Sequence, residues 1–484
     1  MKIEQIYTGC LSQGAYYITS NGEAAIIDPL REVQPYIDQM EKDGVRLKYI
    51  FETHFHADFV SGHVTLSEKT GAPIVYGPDA NTAFEAINAV DDQLFQVGDL
   101  TIKVLHTPGH TLESTTYLLR DKDGKDHALF TGDTLFLGDV GRPDLAQKSE
   151  DMTKEDLAGM LYDSLRKKIM PLSDDLMVYP AHGAGSACGK HMMKETVDTL
   201  GNQKAMNYAL RADMTKAEFI KEVTDGLLPP PNYFALNAAL NKKGYESIDT
   251  VLKRGNIALS PDQLEELVNR EEALILDVRH QDDFANNHIS GAIFIGLHGS
   301  FAPWVGALIT DIQQAIVLVA PEGKEEETVT RLARVGYDNT LGFLAGGMDA
   351  WIKAGKETDQ VESISPAEFS TRLTTEPNRS VLDVRKPTEF LAHHMMNATN
   401  LPLDYINNNM GKVSRTAPYF IHCAGGYRSM IASSILKARG FHNLVDVKTG
   451  FKGIIETETI PLSNYQCPTS LSQEVIDEAV ASVV

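Results

Sequence analysis

The run Thr53-His54-Phe55-His56-Ala57-Asp58-Phe59 is the most informative segment in the first half of the chain. The apolar, β-rich run at 47–51 comes just before it and predicts a buried strand that ends near the start of the motif. Imidazole and carboxylate groups are common protein ligands of transition metals, and three of them follow that strand at alternate positions. One histidine in a loop is more often a solvated or capping residue, so the motif needs partners elsewhere in the chain.

Three further side chains of this kind follow predicted strands in the same way. A short turn separates each from its β-rich run: Pro-Gly before His110, Thr-Gly before Asp133 and Pro-Ala before His182. Four loops with His or Asp at the carboxyl ends of strands are what a metal site on a rigid sheet scaffold requires. Together they predict a metal site, although any one of them alone would not.

The second half of the chain repeats itself. Leu276-Asp-Val-Arg279 recurs as Leu382-Asp-Val-Arg385, 106 residues later, and Gly336-Tyr337 recurs as Gly440-Phe441, 104 residues later. The two offsets agree closely enough to predict a tandem duplication. Each copy reads as helix, buried strand, loop, strand, helix and strand, which is typical of a small parallel α/β domain.

The length of 484 residues is consistent with three domains, since a domain averages about 150 residues. We expect the first at 1–252, where β-rich runs give way after residue 183 to a helical pattern broken by three prolines at 229–231. The repeats are expected at 256–357 and 362–463, and a tail with a short helix at 464–484.

The second repeat carries a nucleophile in the run Cys423-Ala-Gly-Gly-Tyr-Arg428, between a predicted buried strand and a predicted helix. Gly425 and Gly426 allow backbone N–H groups to point inward towards bound sulfur, and the helix adds its positive N-terminus. Both effects stabilise a thiolate or persulfide anion. The run resembles the active-site loop of the rhodanese family, which implies that Cys423 carries a persulfide and that Arg428 binds an oxyanion such as sulfite or thiosulfate.

Similar loops occur in phosphatases, which place five residues between the cysteine and the arginine. Four intervene here, from Ala424 to Tyr427, and the tighter loop favours sulfur chemistry. A buried structural cysteine is the plainer alternative. Counting back from Gly336 without gaps places Val319 at the cysteine position of the first repeat. That copy is therefore expected to be inactive and to serve in packing or docking.

The composition narrows the function classes. An apolar share of 43% and a charged share of 23% are ordinary for a globular protein. The formal net charge of −22 argues against nucleic acid as a partner. We see no signal segment and no window near the ~18 uninterrupted apolar residues of a membrane span, so no membrane partner is expected. Four cysteines do not make a disulfide framework, which predicts a cytoplasmic location.

The first block resembles the metallo-β-lactamase superfamily, and within it the persulfide dioxygenase branch. The resemblance rests on His54-x-His56-x-Asp58, Thr107-Pro-Gly-His110, Thr131-Gly-Asp133, Gly141-Arg-Pro-Asp144 and Tyr179-Pro-Ala-His182. It implies a multidomain α/β protein, with an αββα sandwich followed by two rhodanese-like α/β domains. It also implies a metal held by His54, His110 and Asp133. His56, Asp58 and His182 would then surround the metal and orient its ligands, water or substrate.

Phe59 departs from the superfamily pattern. Most members have a histidine at this position that binds a second metal, and a phenyl ring has no lone pair to donate. Two histidines and one carboxylate with open positions opposite are typical of non-haem Fe(II) oxygenases. The sequence therefore predicts one Fe(II) per chain, with a weak second zinc at His56, Asp58 and His182 as the alternative.

Two further residues are candidates for substrate binding. Arg142 resembles a family position that holds the substrate thiol, where a guanidinium could pair with a carboxylate of a glutathione-like carrier. A structural ion pair with Asp144 is the alternative. Cys188 lies six residues beyond His182 in a loop expected to border the metal site. It could relay a sulfur atom or be an inert apolar residue.

These features predict a dioxygenase that uses O₂ to oxidise a low-molecular-weight thiol persulfide, of glutathione, coenzyme A or a similar carrier, to sulfite and thiol. Rhodanese chemistry at Cys423 would couple this step to the formation or use of thiosulfate. Homodimers or tetramers are expected from the resemblance. Two alternatives stay open: a zinc thioester hydrolase of the glyoxalase II kind, which Phe59 disfavours, and a non-catalytic sulfur carrier or sensor.

Overall fold

The computed structural model describes residues 1–145, 152–227, 229–467 and 473–481. The chain divides into two compact units, one formed by residues 1–250 with 332–336 and the other by 251–331 with 337–484. Within the described ranges, no helix combines the length and the apolar character needed to cross a membrane.

Two six-stranded sheets form the first unit, in the orders β1-β2-β3-β4-β5-β6 and β12-β11-β10-β9-β8-β7. The strands are β1 Lys2–Thr8, β2 Gln13–Ser20, β3 Glu23–Ile27, β4 Arg46–Phe51, β5 Ile74–Tyr76, β6 Ile87–Asn88, β7 Leu94–Val97, β8 Leu100–His106, β9 Thr115–Arg120, β10 Asp126–Gly132, β11 Met177–Pro180 and β12 Asp198–Thr199. The helices up to residue 255 are Gln34–Asp43, His63–Thr70, Lys154–Ser164, Leu200–Met206, Lys216–Thr224, Phe234–Lys243 and Ile248–Gly255, with a π-helical turn at Leu165–Ile169 and a 3₁₀ turn at Tyr208–Leu210.

Alternating apolar side chains explain why these sheets stack. In β2, Tyr16 and Ile18 belong to the core between the two sheets, whereas Tyr17 belongs to the core on the outer face. Helices cover both outer faces, through residues such as Met40 on the first sheet and Leu161 on the second. The layers are helix, sheet, sheet and helix, which confirms the predicted αββα sandwich.

The second unit contains two five-stranded parallel sheets with the same connectivity, β13-β18-β17-β14-β16 and β20-β24-β23-β21-β22, and a short antiparallel pair, β15-β19. The strands are β13 Ala258–Leu259, β14 Leu274–Asp277, β15 His288–Ile289, β16 Ile293–Phe294, β17 Ile316–Val319, β18 Thr340–Leu344, β19 Thr358–Asp359, β20 Glu362–Ile364, β21 Ser380–Asp383, β22 Ala398–Asn400, β23 Tyr419–His422 and β24 Leu444–Val447. The shared strand order confirms the predicted tandem α/β duplication.

Helices follow most of these strands. They are Pro261–Glu271, Gln281–Asn286, Phe301–Leu308, Glu325–Ala333, Gly347–Lys353, Pro366–Thr375, Pro387–Ala392, Ile406–Asn409, Tyr427–Ala438, Gly450–Glu456 and Gln473–Ala481, with 3₁₀ turns at Leu403–Tyr405 and Met410–Lys412. The last of them lies in the segment expected to be a tail with a helix. Residues 468–472 and 482–484 of that tail lie outside the described residues.

Sheet register aligns the two repeats and corrects one prediction. Asp277 pairs with Val319 in the first repeat, and Asp383 pairs with His422 in the second. Val319 is therefore the equivalent of His422, and Ala320 is the equivalent of Cys423. The prediction that placed Val319 at the cysteine position is wrong by one residue, because the segment between this position and the repeat's Gly-aromatic pair is one residue shorter in the first repeat. Ala320 has no thiol either, so this position carries no nucleophile.

Candidate metal centre and sulfurtransferase loop

Four loops meet at the carboxyl ends of β4, β8, β10 and β11, where the sequence predicts them. They bring His54, His110 and Asp133 together, with one ligand atom of each within 4.8 Å of the others. The Nε2 atoms of His54 and His110 lie 3.8 and 3.3 Å from Oδ2 of Asp133. All three side chains are buried, so the proposed ligands form a compact group shielded from water.

Hydrogen bonds fix the orientation of both imidazoles. The backbone carbonyl of Arg142 lies 2.8 Å from Nδ1 of His110, so this nitrogen carries the proton and donates it. Thr53 Oγ1 donates to Asp28 and therefore accepts from Nδ1 of His54, 3.0 Å away. Both rings thus keep the lone pair on Nε2, the atom that faces Asp133. Partners of this kind set the tautomer and the ring angle of histidines that bind metals.

Unsatisfied buried atoms show that this group suits a cation. Neither carboxylate oxygen of Asp133 and neither ring nitrogen of His182 has a hydrogen-bond partner among the described residues. Leaving such groups buried and unpaired costs free energy that a bound cation would remove. Burial, with the neighbouring histidines, lowers the pKa of His54 well below its usual range and keeps the ring in the neutral form that binds metals. The residues present therefore fit a metal ion.

A second donor group borders the first. His56, Asp58 and His182 also bring their ligand atoms within 4.8 Å of one another. Nε2 of His182 lies 3.5 Å from Oδ2 of Asp58 and 3.6 Å from Oδ1 of Asp133. Asp133 thus presents one oxygen to each group. The three residues that the resemblance places around a metal therefore lie beside the group formed by His54, His110 and Asp133.

His56 faces a buried acidic pair that sequence reasoning missed. Its Nε2 lies 3.1 Å from Oδ1 of Asp28 and 3.4 Å from Oε2 of Glu52. Burial raises the pKa of Glu52 to about 7. Each acid directly follows a strand, β3 or β4, which is the same signal that identified the metal loops. The acidic pair orients His56, while Phe59, fully buried beside its ring, offers hydrocarbon and no ligand.

The Arg142 side chain is engaged within its own loop. Its Nε and Nη2 donate to the two carboxylate oxygens of Asp144 at 2.6 and 2.7 Å. Nη1 donates to the carbonyl of Ala187 at 3.3 Å, and the residue is only 7% exposed. This is the structural ion pair that the sequence left open as the alternative to substrate binding.

Cys188 borders the group formed by His54, His110 and Asp133, called the metal group below, as its place in the sequence predicts. Its sulfur lies within 4.8 Å of ligand atoms of Asp133 and His182, and its carbonyl accepts from the backbone N–H of Arg142 at 2.9 Å. Burial raises the pKa of the thiol well above its usual range, and the charges of Asp58 and Asp133 add to this effect. Cys188 is therefore a neutral buried thiol rather than a ready nucleophile.

Cys423 follows β23 directly, and the helix Tyr427–Ala438 begins at the far end of its loop. The N–H of Gly426 donates to the Cys423 sulfur at 3.1 Å. Gly426 has a φ of +97°, a backbone conformation that favours glycine. A Cβ on Gly425 would meet nothing within 4 Å, so this residue leaves the loop open beside the sulfur. The loop thus has the inward N–H group that stabilises a sulfur anion.

The Arg428 guanidinium is paired with a carboxylate that sequence reasoning missed. Its Nη1 and Nη2 donate to the two carboxylate oxygens of Glu389 at 2.6 and 2.9 Å. Burial opposes ionisation of Glu389, but the contact with Arg428 holds its pKa below the usual range. Glu389 lies on another helix, 39 residues away in sequence, and no local pattern links the two. In this structure Glu389 holds the group that the sequence assigns to a substrate oxyanion.

Comparison with known proteins matches both parts of the chain. The metallo-beta-lactamase superfamily matches residues 8–182, and the rhodanese-like domain matches residues 260–354 and 365–457. A hydroxyacylglutathione hydrolase from Rhodopseudomonas palustris (strain BisB5) is 32% identical over 42% of this chain and 86% of its own length. The mitochondrial persulfide dioxygenase ETHE1 of Homo sapiens is 31% identical over 43% of this chain and 74% of its own length.

One crystal structure extends the likeness beyond the first domain. A metallo-beta-lactamase from Staphylococcus aureus subsp. aureus COL is 30% identical, with a TM-score of 0.62. The match covers 71% of this chain and 98% of that protein. The chain belongs to the metallo-β-lactamase superfamily and carries two rhodanese-like domains after its metallo-β-lactamase domain.

Proposed function

We propose that the first domain is a mononuclear Fe(II) dioxygenase that oxidises the outer sulfur of a thiol persulfide. The balanced reaction is RSSH + O₂ + H₂O → RSH + SO₃²⁻ + 2H⁺. The sulfur–sulfur bond breaks, the outer sulfur is oxidised to sulfite, and O₂ is reduced. The thiol leaves as RSH, so the carrier is regenerated for another round.

The donor set carries this proposal. Two imidazoles and one carboxylate, His54, His110 and Asp133, are the ligand types of mononuclear Fe(II) oxygenases. Phe59 supplies no ligand where a superfamily histidine would bind a second metal. Ferrous iron bound at this set would supply the activation of O₂ that closed-shell thiols lack.

The protein's own residues would prepare this reaction. Thr53 and the Arg142 carbonyl hold the two imidazoles in one orientation, and burial of the group keeps bulk water away from the reacting sulfur. Asp58 and His182, 3.5 Å apart beside Asp133, are placed to hold a proton or a water molecule next to bound persulfide. Glutathione or coenzyme A would serve as the carrier thiol.

Sulfur transfer would take place at Cys423. In the direction that uses thiosulfate, the thiolate attacks the outer sulfur, a new sulfur–sulfur bond forms, and sulfite leaves with the electron pair of the broken bond. The balance is Cys-S⁻ + S₂O₃²⁻ → Cys-S-S⁻ + SO₃²⁻. The Gly426 N–H stabilises the sulfur anion at both stages. Fusion of the two activities raises the effective concentration of sulfite and persulfide for the partner domain.

The main rival is a two-zinc thioester hydrolase. Two observations favour it: Asp133 faces both donor groups, and a hydroxyacylglutathione hydrolase is among the similar proteins. Its substrate differs, because hydrolysis of a thioester consumes no O₂. A cytoplasmic location and assembly into dimers or tetramers stay predictions.

Oxygen uptake separates the two functions. The iron-loaded full chain should consume O₂ and release sulfite in equal amounts when given glutathione persulfide or coenzyme A persulfide. His54→Ala should abolish both signals, whereas the control His127→Ala, which changes a histidine of the same domain outside the metal group, should not. Hydrolysis of S-lactoylglutathione without any O₂ uptake from the persulfides would overturn the proposal in favour of the hydrolase.

A further inference from the structure

Tyr427 links the Cys423 loop to the repeat that lacks a nucleophile. Its hydroxyl donates to the carbonyl of Gly296 at 2.7 Å. Its ring stands edge-on to the imidazole of His298, with centroids 5.2 Å apart and an interplanar angle of 80°. The ring of Phe294 lies on another side, at 6.0 Å and 71°. A residue of one repeat's loop is thus seated among side chains of the other repeat.

The absence of a side chain at Gly299 leaves the space that the Tyr427 ring occupies. A Cβ at this position would lie 2.3 to 2.6 Å from three ring carbons of Tyr427, closer than real Cβ atoms approach other heavy atoms. Gly299 is not among the glycines with positive φ, so the close approach of the ring, and not the backbone conformation, requires glycine here. The first repeat is therefore shaped to the Tyr427 ring.

Further contacts hold the same helix on the first repeat. Ser434 lies seven residues, or about two turns, after Tyr427 and so on the same face of the helix. Its Oγ accepts from the backbone N–H of Phe294, on the edge strand β16, at 3.0 Å. Lys437 Nζ donates at 2.8 Å to Oδ1 of Asp359, which lies just after the first repeat in β19, the strand that pairs with β15 of that repeat. The helix Tyr427–Ala438 is docked on the first repeat from its first turn onward.

Tyr427 lies between Gly426 and Arg428, two residues of the Cys423 loop with proposed roles in sulfur transfer. Gly426, which donates its N–H to the Cys423 sulfur, comes directly before it. Arg428, which pairs with Glu389, comes directly after it. The two consecutive glycines of the loop have wide backbone freedom, and fixing them costs conformational entropy. A ring seated in a rigid domain at the end of the loop restricts that freedom.

We propose that the repeat without a nucleophile is a rigid seat for Tyr427, and that Tyr427 is a positioning residue that keeps the Gly426 N–H aimed at the Cys423 sulfur. The inference rests on the proposed sulfurtransferase role of Cys423. A released loop would lose the N–H contact for part of the time and stabilise the thiolate less. Cys423 would then be a weaker nucleophile, and kcat would fall more than substrate affinity.

The first test uses the thiol itself and needs no turnover. Iodoacetamide labelling of Cys423 in the full chain at neutral pH, followed over time by peptide mass spectrometry, gives the rate at which this thiol reacts. Gly299→Ala, which pushes a methyl group into the Tyr427 ring, should lower that rate. The kcat for transfer of sulfur from thiosulfate to cyanide should fall about tenfold, with little change in KM. The control Glu322→Ala, an exposed position of the same repeat, should change neither value.

Variants of the tyrosine complete the test. Tyr427→Phe keeps the ring and should retain most of the activity. Tyr427→Leu removes the ring without creating a clash, and it should show the effects on labelling and kcat that are expected for Gly299→Ala. It therefore tests the proposal even if Gly299→Ala fails to fold. In the Tyr427→Leu background, Gly299→Ala should add little further effect. An unchanged labelling rate in Tyr427→Leu would overturn the proposal. A wild-type chain that transfers no sulfur would instead overturn the rhodanese function and leave the labelling result to judge the seat.

Discussion

The ring of Phe59 packs on the imidazole of His56, with centroids 4.4 Å apart and planes inclined by 34°. Nε2 of the same imidazole lies 3.1 Å from Asp28 and 3.4 Å from Glu52. His56 therefore lies between a hydrocarbon face and two carboxylates, beside the metal group. This arrangement gives the second donor group one imidazole fewer than a superfamily member with histidine at this position.

Restoring that histidine should restore the second metal site. We expect Phe59→His, purified and dialysed against zinc, to bind close to two metal equivalents where the wild type binds one, because the new imidazole joins Asp58, His182 and the shared Asp133. Metal analysis after removal of loose ions measures this. Phe59→Leu, which stays apolar, is the matched control and should keep one equivalent. Equal metal content in Phe59→His and wild type would show that Phe59 does not limit metal number.

Removing the charge of Asp28 should weaken metal binding without touching a ligand. Asp28 accepts from the N–H and the hydroxyl of Thr53, each at 2.8 Å, and Thr53 in turn orients His54. Loss of such outer partners typically costs about 10–100-fold in metal affinity. Competition with a chelator should show this range for Asp28→Asn. Asp38→Asn, an exposed change in the same unit, should leave the affinity unaltered, and an unaltered value for Asp28→Asn would refute the orienting role.

Replacing Cys423 should abolish sulfur transfer and leave O₂ uptake largely intact. We expect Cys423→Ser to lose all sulfur transfer to cyanide, because a serine hydroxyl forms no persulfide. O₂ uptake with glutathione persulfide should stay within about twofold of wild type, since the metal donors lie in the other compact unit. His110→Ala should show the opposite pattern. Loss of both activities in Cys423→Ser would mean that one site depends on the other.

Neutralising Glu389 should improve the binding of an anionic sulfur donor. Glu389 occupies both arms of the Arg428 guanidinium, and a partly exposed pair of this kind contributes about 1 kcal/mol. We expect Glu389→Gln to lower the KM for thiosulfate about fivefold, because Arg428 gains a free positive charge. Glutamine can keep the hydrogen bond that Glu389 accepts from the N–H of Lys386 at 3.3 Å.

Steady-state kinetics at low and moderate salt would measure this change. The lowered KM should weaken as salt rises, because the gain is electrostatic. Glu456→Gln, an exposed change in the same repeat, is the control. A higher KM in Glu389→Gln would show that the carboxylate helps substrate binding by holding the arginine in place.

The stability of the second repeat should depend on pH through Asp446. Burial raises the pKa of this carboxyl to about 6, from 3.8 in an exposed setting. The folded state then holds a proton that the unfolded state has released, so the free energy of unfolding falls as pH rises between these values. Across this pH range the free energy of unfolding falls by about 3 kcal/mol.

Asparagine imitates the protonated carboxyl, so Asp446→Asn should remove this loss of stability. Hydrogen exchange of the backbone amides in β24, corrected for intrinsic rates at pH 4 and pH 7, would show it. Glu322→Gln, an exposed acid of the first repeat, should keep the wild-type dependence. The same pH dependence in Asp446→Asn as in wild type would contradict the assignment.

The four loops that carry the two donor groups could be predicted because each loop is marked locally. His54, His110, Asp133 and His182 each follow a β-rich run through a short turn, and the carboxyl ends of those strands meet in the sandwich. The αββα layers were implied by the resemblance of these motifs to the metallo-β-lactamase superfamily. The repeat was visible because Leu-Asp-Val-Arg recurs at a nearly constant offset.

Pairings between distant segments could not be predicted in this way. Glu389 reaches Arg428, and Tyr427 reaches Gly296, only because helices and loops far apart in sequence are folded together. No spacing encodes such contacts. The placement of Val319 shows a related limit. The segment after the strand is one residue shorter in the first repeat, which leaves the hydrophobic pattern intact but shifts the ungapped count back from Gly336. Only the pairing of Val319 with Asp277 reveals this difference.

Anomalous scattering at the iron and zinc edges, from crystals of protein purified without added metal, would show how many metal ions the chain binds and which element they are. A single iron peak within bonding distance of Nε2 of His54, Nε2 of His110 and Asp133 is the expected result, with no peak between Asp58 and His182. Two fully occupied zinc peaks that share Asp133 would contradict the dioxygenase and favour the hydrolase.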